Sequence, residues 1–220
     1  MKLVLASGSQ RRRELLTMCG YDYEIIVSNA DETIDENDPE SFVRALSFRK
    51  AKEVFDRLFA AGRRDFAVIG SDTVVAFQKE GETKPVIIGK PKDAEDAVRI
   101  LSILSGKTHR VFTGVSVIAD IPDENAAAQC SIQEKAEIQT ECSITEVTFE
   151  TLSPDEITDY VNSGDPLDKA GSYGIQGPFG MFVREIRGNY FTVIGMPIPV
   201  LYKMLKKIGI LPHGFYERIE

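Results

Sequence analysis

Cysteine is scarce and poorly spaced for structural use. Cys19, Cys130 and Cys142 are odd in number, far apart and without metal-ligand spacing, which argues against a disulfide framework or a zinc site and fits a reducing compartment. Histidine is scarcer still: His109 and His213 are too distant in sequence to suggest a pair, and both read as structural. Positive charge is also short. Lys and Arg number 26 against 34 Asp and Glu, so the formal net charge is −8 and a nucleic-acid backbone would repel the chain. A phosphate ligand therefore needs a local cluster of basic groups. No apolar run approaches membrane-spanning length, and the run Leu3–Ala6 is too short for a signal-peptide core. The expectation is a cytoplasmic protein with no nucleic-acid and no membrane partner. Nor is there an internal repeat or a Pro/Ser-rich linker, so residues 1–220 read as a single domain large enough for a real core.

What is present is an interleaving of strand and helix signals. Lys2–Ala6 reads as a buried strand, and Ser9 as the cap of a helix from Gln10 to about Cys19, stopped by Gly20. Asp38 and Pro39 open a long amphipathic helix that Gly62 ends. Phe66–Gly70 reads as a strand, Ser71-Asp72-Thr73 as the segment after it, and VVAF as a further strand-like run. QKEGETK reads as a polar hairpin turn and PVIIGKP as the return; Asp93 caps a helix through Leu104. HRVFTGVSVIAD is a long strand, residues 121–133 an exposed loop or strand extension, and IQTECSITEVTFETL a half-solvated strand. Ser153 and Glu156 stand at capping-box spacing before a helix that Gly164 stops. A glycine-rich loop runs from Asp165 to Gly180, MFVREIRGNYFTVIG has a hairpin pattern, and a last amphipathic helix covers about Pro197–Lys207. The sum is an α/β chain with a mixed sheet.

One stretch resists a purely structural reading. LVLASGSQRRRELL places Arg11, Arg12 and Arg13 in the first turn of a helix, where a partial positive charge already sits. Each unanswered cation there costs roughly 0.3–1 kcal/mol. Strand–SGS–helix is the arrangement that presents backbone N–H groups to a phosphate. It lacks the P-loop and dinucleotide-fold glycine patterns, so on its own it is a weak signal. Three adjacent arginines cannot share one helix face, so at least one is structural or merely solvated. Asp72 follows a buried strand, at the end where α/β sheets bind ligands; a carboxylate there holds a metal or activates water, against the plainer reading of a turn residue. Lys50 reads by default as an exposed helix lysine, Lys90 in Gly-Lys-Pro as a turn residue, and Asp31-Glu32 as solvated acids. Gln176, between glycines, offers both donor and acceptor, which reading a base edge requires; a packed loop with a satisfied Gln is the alternative.

Several separated blocks then coincide. LASGSQRRREL, GSDTVV followed by IIGKP and LSGKTHRVFTGV, DKAGSYGIQG and the closing GNYFTVIGMP resemble the Maf family of nucleotide pyrophosphatases in order and spacing, over essentially the whole chain. The resemblance implies an elongated α/β fold, with a mixed twisted sheet, flanking helices and a central cleft between two lobes, akin to the inosine-triphosphate pyrophosphatases. It implies a divalent-metal-dependent hydrolase (Mg²⁺, Mn²⁺ or Co²⁺) that cuts a nucleoside triphosphate between the α- and β-phosphates, releasing pyrophosphate. Ser7, Ser9, Arg11 and Arg12 fall in the family's phosphate loop. Glu32, Lys50, Asp72 and Lys90 match its catalytic positions, with Asp72 the proton acceptor and Glu32 and Asp72 the metal-facing carboxylates. Arg11, Thr73 and Gln176 match positions tied to base choice. Asp72-Thr73 resembles the branch that prefers dTTP, UTP and sometimes CTP, and implies disposal of modified pyrimidine nucleotides. The rival expectations are the same chemistry on 7-methyl-GTP or inosine triphosphate, and a nucleotide-binding regulator of cell division without useful turnover. A homodimer is the assembly the resemblance implies. Departures are Gln10 where the family has Pro, Asp165 where Glu is common, and a longer stretch at 121–133.

Overall fold

The computed structural model describes residues 1–78, 81–82, 84–121 and 136–214. In chain order the elements are β1 (Lys2–Leu5), α1 (Gln10–Met18), β2 (Glu24–Ile25), α2 (Pro39–Ala60), β3 (Phe66–Phe77), β4 (Val86–Ile88), α3 (Ala94–Leu104), β5 (Thr108–Asp120), β6 (Ala136–Phe149), α4 (Pro154–Asn162), β7 (Val183–Arg187), α5 (Tyr190–Ile194) and α6 (Ile198–Lys207). Short 3₁₀ turns organise the glycine-rich loop between α4 and β7. The expected stretch at 121–133, apart from Ile121, and part of the QKEGETK turn lie outside the described residues.

The strands form one mixed sheet in the order β2-β1-β3-β5-β6-β7, with β4 also pairing with β3. β1 is parallel to β2 and β3, and the other pairs are antiparallel. Local capping chemistry sets the helix starts. Asp38 accepts from the Ser41 amide, Asp93 from the Asp96 amide, and Ser153 and Glu156 complete a reciprocal box.

Two expectations change. Phe66–Phe77 is one continuous strand of 12 residues, so Asp72 lies inside β3, opposite Gly114, not after a strand. The polar triplet Ser71-Asp72-Thr73 looks like a break locally, but β5 runs antiparallel alongside from Ala119 to Arg110 and holds it extended. The segment after β7 is a helical turn, not the return strand of a hairpin. Asn189 accepts from the amides of Phe191 and Thr192, which makes it a helix cap, and Gly195 ends the turn in the left-handed region at φ 109°.

The register of β3 creates the opening. On one edge β1 pairs only as far as Leu5 with Ile69, extended by the Ala6 amide to the Ile69 carbonyl at 2.8 Å, and β4 begins only at Val75. Among the described residues no strand covers 70–74 on that edge. On one face Ala67 and Ile69 join Leu3, Leu15, Leu16 and the α6 residues Leu201 and Leu205, whereas Val75 and Phe77 join Ile100, Leu101 and Ile157 of α3 and α4. Alternation puts Ser71 and Thr73 between these two cores. On the other face α2 packs over Phe66, Val68 and Val74. It sits so low that a Cβ on Gly70 would meet the Ala51 amide at 2.7 Å, and one on Gly114 would meet the Arg44 amide at 3.0 Å.

Candidate active site

Ser7, Gly8 and Ser9 follow β1 at the edge of that opening. Ser9 occupies the cap position of α1, yet its side chain makes no capping bond. Its own amide donates to Ser7 Oγ at 3.2 Å. The orphan N–H groups of the first turn are therefore not taken up by the expected cap.

The arginines diverge, as their spacing requires. Arg12 Nε donates to the Gly195 carbonyl at 2.9 Å, Nη1 to Ser7 Oγ at 3.1 Å, and Nη2 lies 3.5 Å from Thr73 Oγ1. The left-handed conformation of Gly195 ends α5 at this junction, where Ser71 Oγ also reaches its carbonyl at 3.0 Å. Burial pulls the Arg12 guanidinium below its ordinary pKa; Asp72 opposes this, Arg11 adds to it, and Glu32 opposes it. Arg12 thus stands within electrostatic reach of both carboxylates. Arg11 turns to the glycine-rich loop, its Nη1 3.2 Å from Asp168. Arg13 does neither, and its Nε is buried without a hydrogen-bond partner.

From the opposite face, α2 delivers Lys50. Its Nζ lies 2.8 Å from Asp72 Oδ1 and 3.0 Å from Glu32 Oε1. Lys50 and Asp72 side chains are each 12% exposed, so their attraction is little screened, whereas Glu32 is 65% exposed. Arg49, next to Lys50, donates to the Asp31 and Thr33 carbonyls, both at 2.8 Å, and so pins the loop on either side of Glu32. Sequence reading missed Arg49; its only signal was adjacency to Lys50 on a helix facing an acidic loop.

Lys90 and Gln176 are not joined to this cluster. Both are exposed, and among the described residues neither forms a hydrogen bond or ion pair. Their loops are tied to one another: the Gly171 amide donates to the Gly89 carbonyl at 3.0 Å. The loop that carries Gln176 is held by charge and by buried rings. Tyr160 Oη donates to Asp165 at 2.5 Å and accepts the Gly174 amide at 3.1 Å. Lys169 Nζ bonds Asp165 Oδ1 at 3.0 Å and Asp168 Oδ1 at 2.7 Å. Burial raises the Asp168 carboxyl, but Lys169 and Arg11 outweigh it and leave it below the usual range. His109 Nε2 lies 3.0 Å from Tyr173 Oη, with burial pushing the imidazole pKa down to about 3, so it is a neutral structural group, as expected.

Among the described residues no group of three or more His, Cys, Asp or Glu is arranged to hold a metal ion. Glu32 and Asp72 nonetheless converge on one cation, the Lys50 ammonium. Two carboxylates completed by phosphate oxygens and water suit a hard divalent ion such as Mg²⁺, so the residues present fit one. No helix among the described residues is long and apolar enough to cross a membrane.

Comparison with known proteins matches nearly the whole chain. A family model described as Maf-like protein matches residues 2–208. A dTTP/UTP pyrophosphatase of Agathobacter rectalis is 39% identical over 217 residues, covering 95% of this chain and 98% of that protein. A dTTP/UTP pyrophosphatase of Bacillus thuringiensis subsp. konkukian is 42% identical over 210 residues, covering 95% and 96%. Among solved structures, the Staphylococcus aureus Ham1 protein aligns over 94% of this chain and 100% of its own, with a TM-score of 0.46 and 16% identity.

Proposed function

The chain belongs to the Maf family, and from that premise we propose that it is a nucleoside triphosphate pyrophosphatase that hydrolyses dTTP and UTP to the monophosphate and pyrophosphate. The observation that carries the reading is the Lys50 ammonium clamped between Asp72 and Glu32, with Arg12 within electrostatic reach of both carboxylates. An acidic chain has assembled local positive charge beside a shielded carboxylate, which is what a polyanion and an attacking water together require.

This reading gives each residue a role, which the clustering of Arg12, Lys50, Asp72 and Glu32 supports. A triphosphate carries close to four negative charges. The open first-turn amides of α1, Ser7 and Ser9, and the Arg12 and Arg11 guanidinium groups meet it, with side chains and helix dipole acting in the same direction. Asp72 accepts the proton of the attacking water. Lys50, bonded to Asp72 at 2.8 Å, orients it, and with Lys90 neutralises charge that builds on the α-phosphate and the leaving pyrophosphate. Thr73 and Gln176 face the base. Glu32 and Asp72 would hold a divalent cation, which supplies charge neutralisation of phosphate oxygens. The low-cysteine chemistry supports a cytoplasmic setting: Cys19 and Cys142 are unpaired, and burial pushes the Cys142 thiol up to about 12. The role is removal of unwanted pyrimidine triphosphates from nucleotide pools.

The test is a panel of UTP, dTTP, CTP, 7-methyl-GTP and inosine triphosphate with Mg²⁺, followed by pyrophosphate release. The expected result is the highest kcat/KM for UTP and dTTP. A purine at the head of the panel moves the substrate class, and UTP binding with no pyrophosphate released from any member replaces the enzyme by a nucleotide-responsive regulator.

A further inference from the structure

We propose that Thr113, which touches none of the clustered charges, is a positioning residue for base specificity. It locks the Thr73 hydroxyl as a hydrogen-bond acceptor, and the site thereby selects a nucleobase that presents an N–H donor, the imide of uracil or thymine. The proposal rests on the dTTP/UTP reading above and deepens it.

Each hydroxyl has one proton to give. The Thr192 carbonyl can only accept, and Thr113 Oγ1 lies 2.7 Å from it, so the single Thr113 proton goes there. Thr113 Oγ1 also lies 3.0 Å from Thr73 Oγ1. With the Thr113 proton already committed, Thr73 must donate across that contact. The single Thr73 proton is then used, and toward the opening Thr73 offers lone pairs alone. Its third neighbour agrees: Arg12 Nη2, a pure donor, sits 3.5 Å away.

The lock is stiff. Thr113 and Thr192 are both fully buried. The Thr192 carbonyl is part of α5, whose cap Asn189 is itself held by the Thr145 hydroxyl at 3.0 Å, and whose Thr192 hydroxyl meets Ser143 at 2.7 Å. Reversing the Thr73 hydroxyl would leave the Thr192 carbonyl or the Thr113 hydroxyl without its partner, a penalty the buried site does not readily bear. The end of the chain of bonds is open. Thr73 is the one residue of β3 that is not buried, in the stretch 70–74 that no described strand covers.

A hydroxyl that only accepts is ill suited to a phosphate oxygen, which also only accepts. It suits an N–H or O–H of the nucleoside. Relatives named dTTP/UTP pyrophosphatases act on two nucleotides that differ in the 5-methyl group and the 2′-hydroxyl. Both present the imide N–H, and cytosine has a lone pair at that ring position. The sugar 3′-hydroxyl is the other donor the two share, and the experiment separates it.

The experiment measures kcat/KM for UTP, CTP and 3′-deoxy-UTP, together with calorimetric affinities for the same nucleotides, in wild type, Thr113→Val and Thr113→Ser. Wild type is expected to favour UTP over CTP. In Thr113→Val, which keeps the shape but removes the lock, the UTP-to-CTP ratio falls about tenfold in both readouts, and Thr113→Ser restores it. A merely structural role would lower both nucleotides alike and leave the ratio fixed; that result overturns the proposal. So does a wild type without preference, or a valine variant that changes only the ratio of UTP to 3′-deoxy-UTP, which would put the donor on the sugar. Absence of pyrophosphate release from UTP in wild type would refute the enzymatic reading while the binding ratios still decide the role of Thr113.

Discussion

Asp72→Asn lowers kcat for UTP by about 10²–10⁴-fold, the range lost when a positioned general base is removed. The amide keeps the size of the carboxylate and an oxygen for Lys50 to bond at the 2.8 Å site, so the strand and the clamp survive. What it loses is the capacity to take a proton, and the charge with which Asp72 would help Glu32 hold a divalent cation. The remaining anion near Lys50 is Glu32, which is 65% exposed and therefore a weaker electrostatic partner. KM moves much less than kcat, because the arginines proposed to meet the phosphates and the open helix terminus are untouched. Steady-state pyrophosphate release on variant and wild type, with thermal melts to confirm folding, checks this. A variant within a few-fold of wild-type kcat removes Asp72 from the chemistry.

Gly114→Ala destabilises the fold by about 3 kcal/mol, the upper end for forced overpacking, because the neighbour that must yield is backbone. A Cβ there would lie 3.0 Å from the Arg44 amide and closer still to the Val43 carbonyl. The helix cannot rotate a carbonyl aside without breaking its own ladder, so α2 has to lift from β5. Lys50 rides on α2, and its bond to Asp72 depends on the helix lying flat across Gly70 and Gly114. Activity is therefore expected to fall beyond what the loss of folded protein accounts for. Denaturant unfolding beside kcat, measured on the folded fraction, separates the two effects. Stability within about 0.5 kcal/mol of wild type would show that the close approach is not a constraint.

Local chemistry was legible in the sequence where it is local in fact. Asp38 with Pro39, Asp93, and Ser153 with Glu156 announce helix starts because a cap is satisfied within one turn. The continuity of β3 was not legible, because Ser71-Asp72-Thr73 carries turn residues and only the pairing with β5, some forty positions on, keeps them extended. Tyr190–Ile194 is aromatic and β-branched, which favours a strand, yet Asn189 caps it into a helix. The same division holds at the site. The residue types at Arg12 and Asp72 stood out, and the family resemblance supplied their implied roles along with those of Thr73, Lys50 and Glu32. The sharing of Lys50 by two carboxylates depends on α2 resting on two glycines, which no short stretch reveals. Thr113 had a faint signal, a hydroxyl inside the apolar run VFTGVSVIA, but its meaning needs the Thr192 carbonyl 79 positions away. Gln176 stood out by its place between glycines and Lys90 was named from the resemblance; both are exposed, and among the described residues neither forms a hydrogen bond or ion pair.

The most direct measurement is a crystal structure with an uncleavable UTP analogue whose α–β bridging oxygen is replaced by a methylene or imido group. The α-phosphorus should sit in the uncovered stretch of β3, with Arg12 and Lys50 on its oxygens and a water between it and Asp72, in line with the bridging group. A triphosphate whose γ-phosphorus lies nearest Asp72, or one bound away from the Lys50–Asp72 pair, would contradict the account.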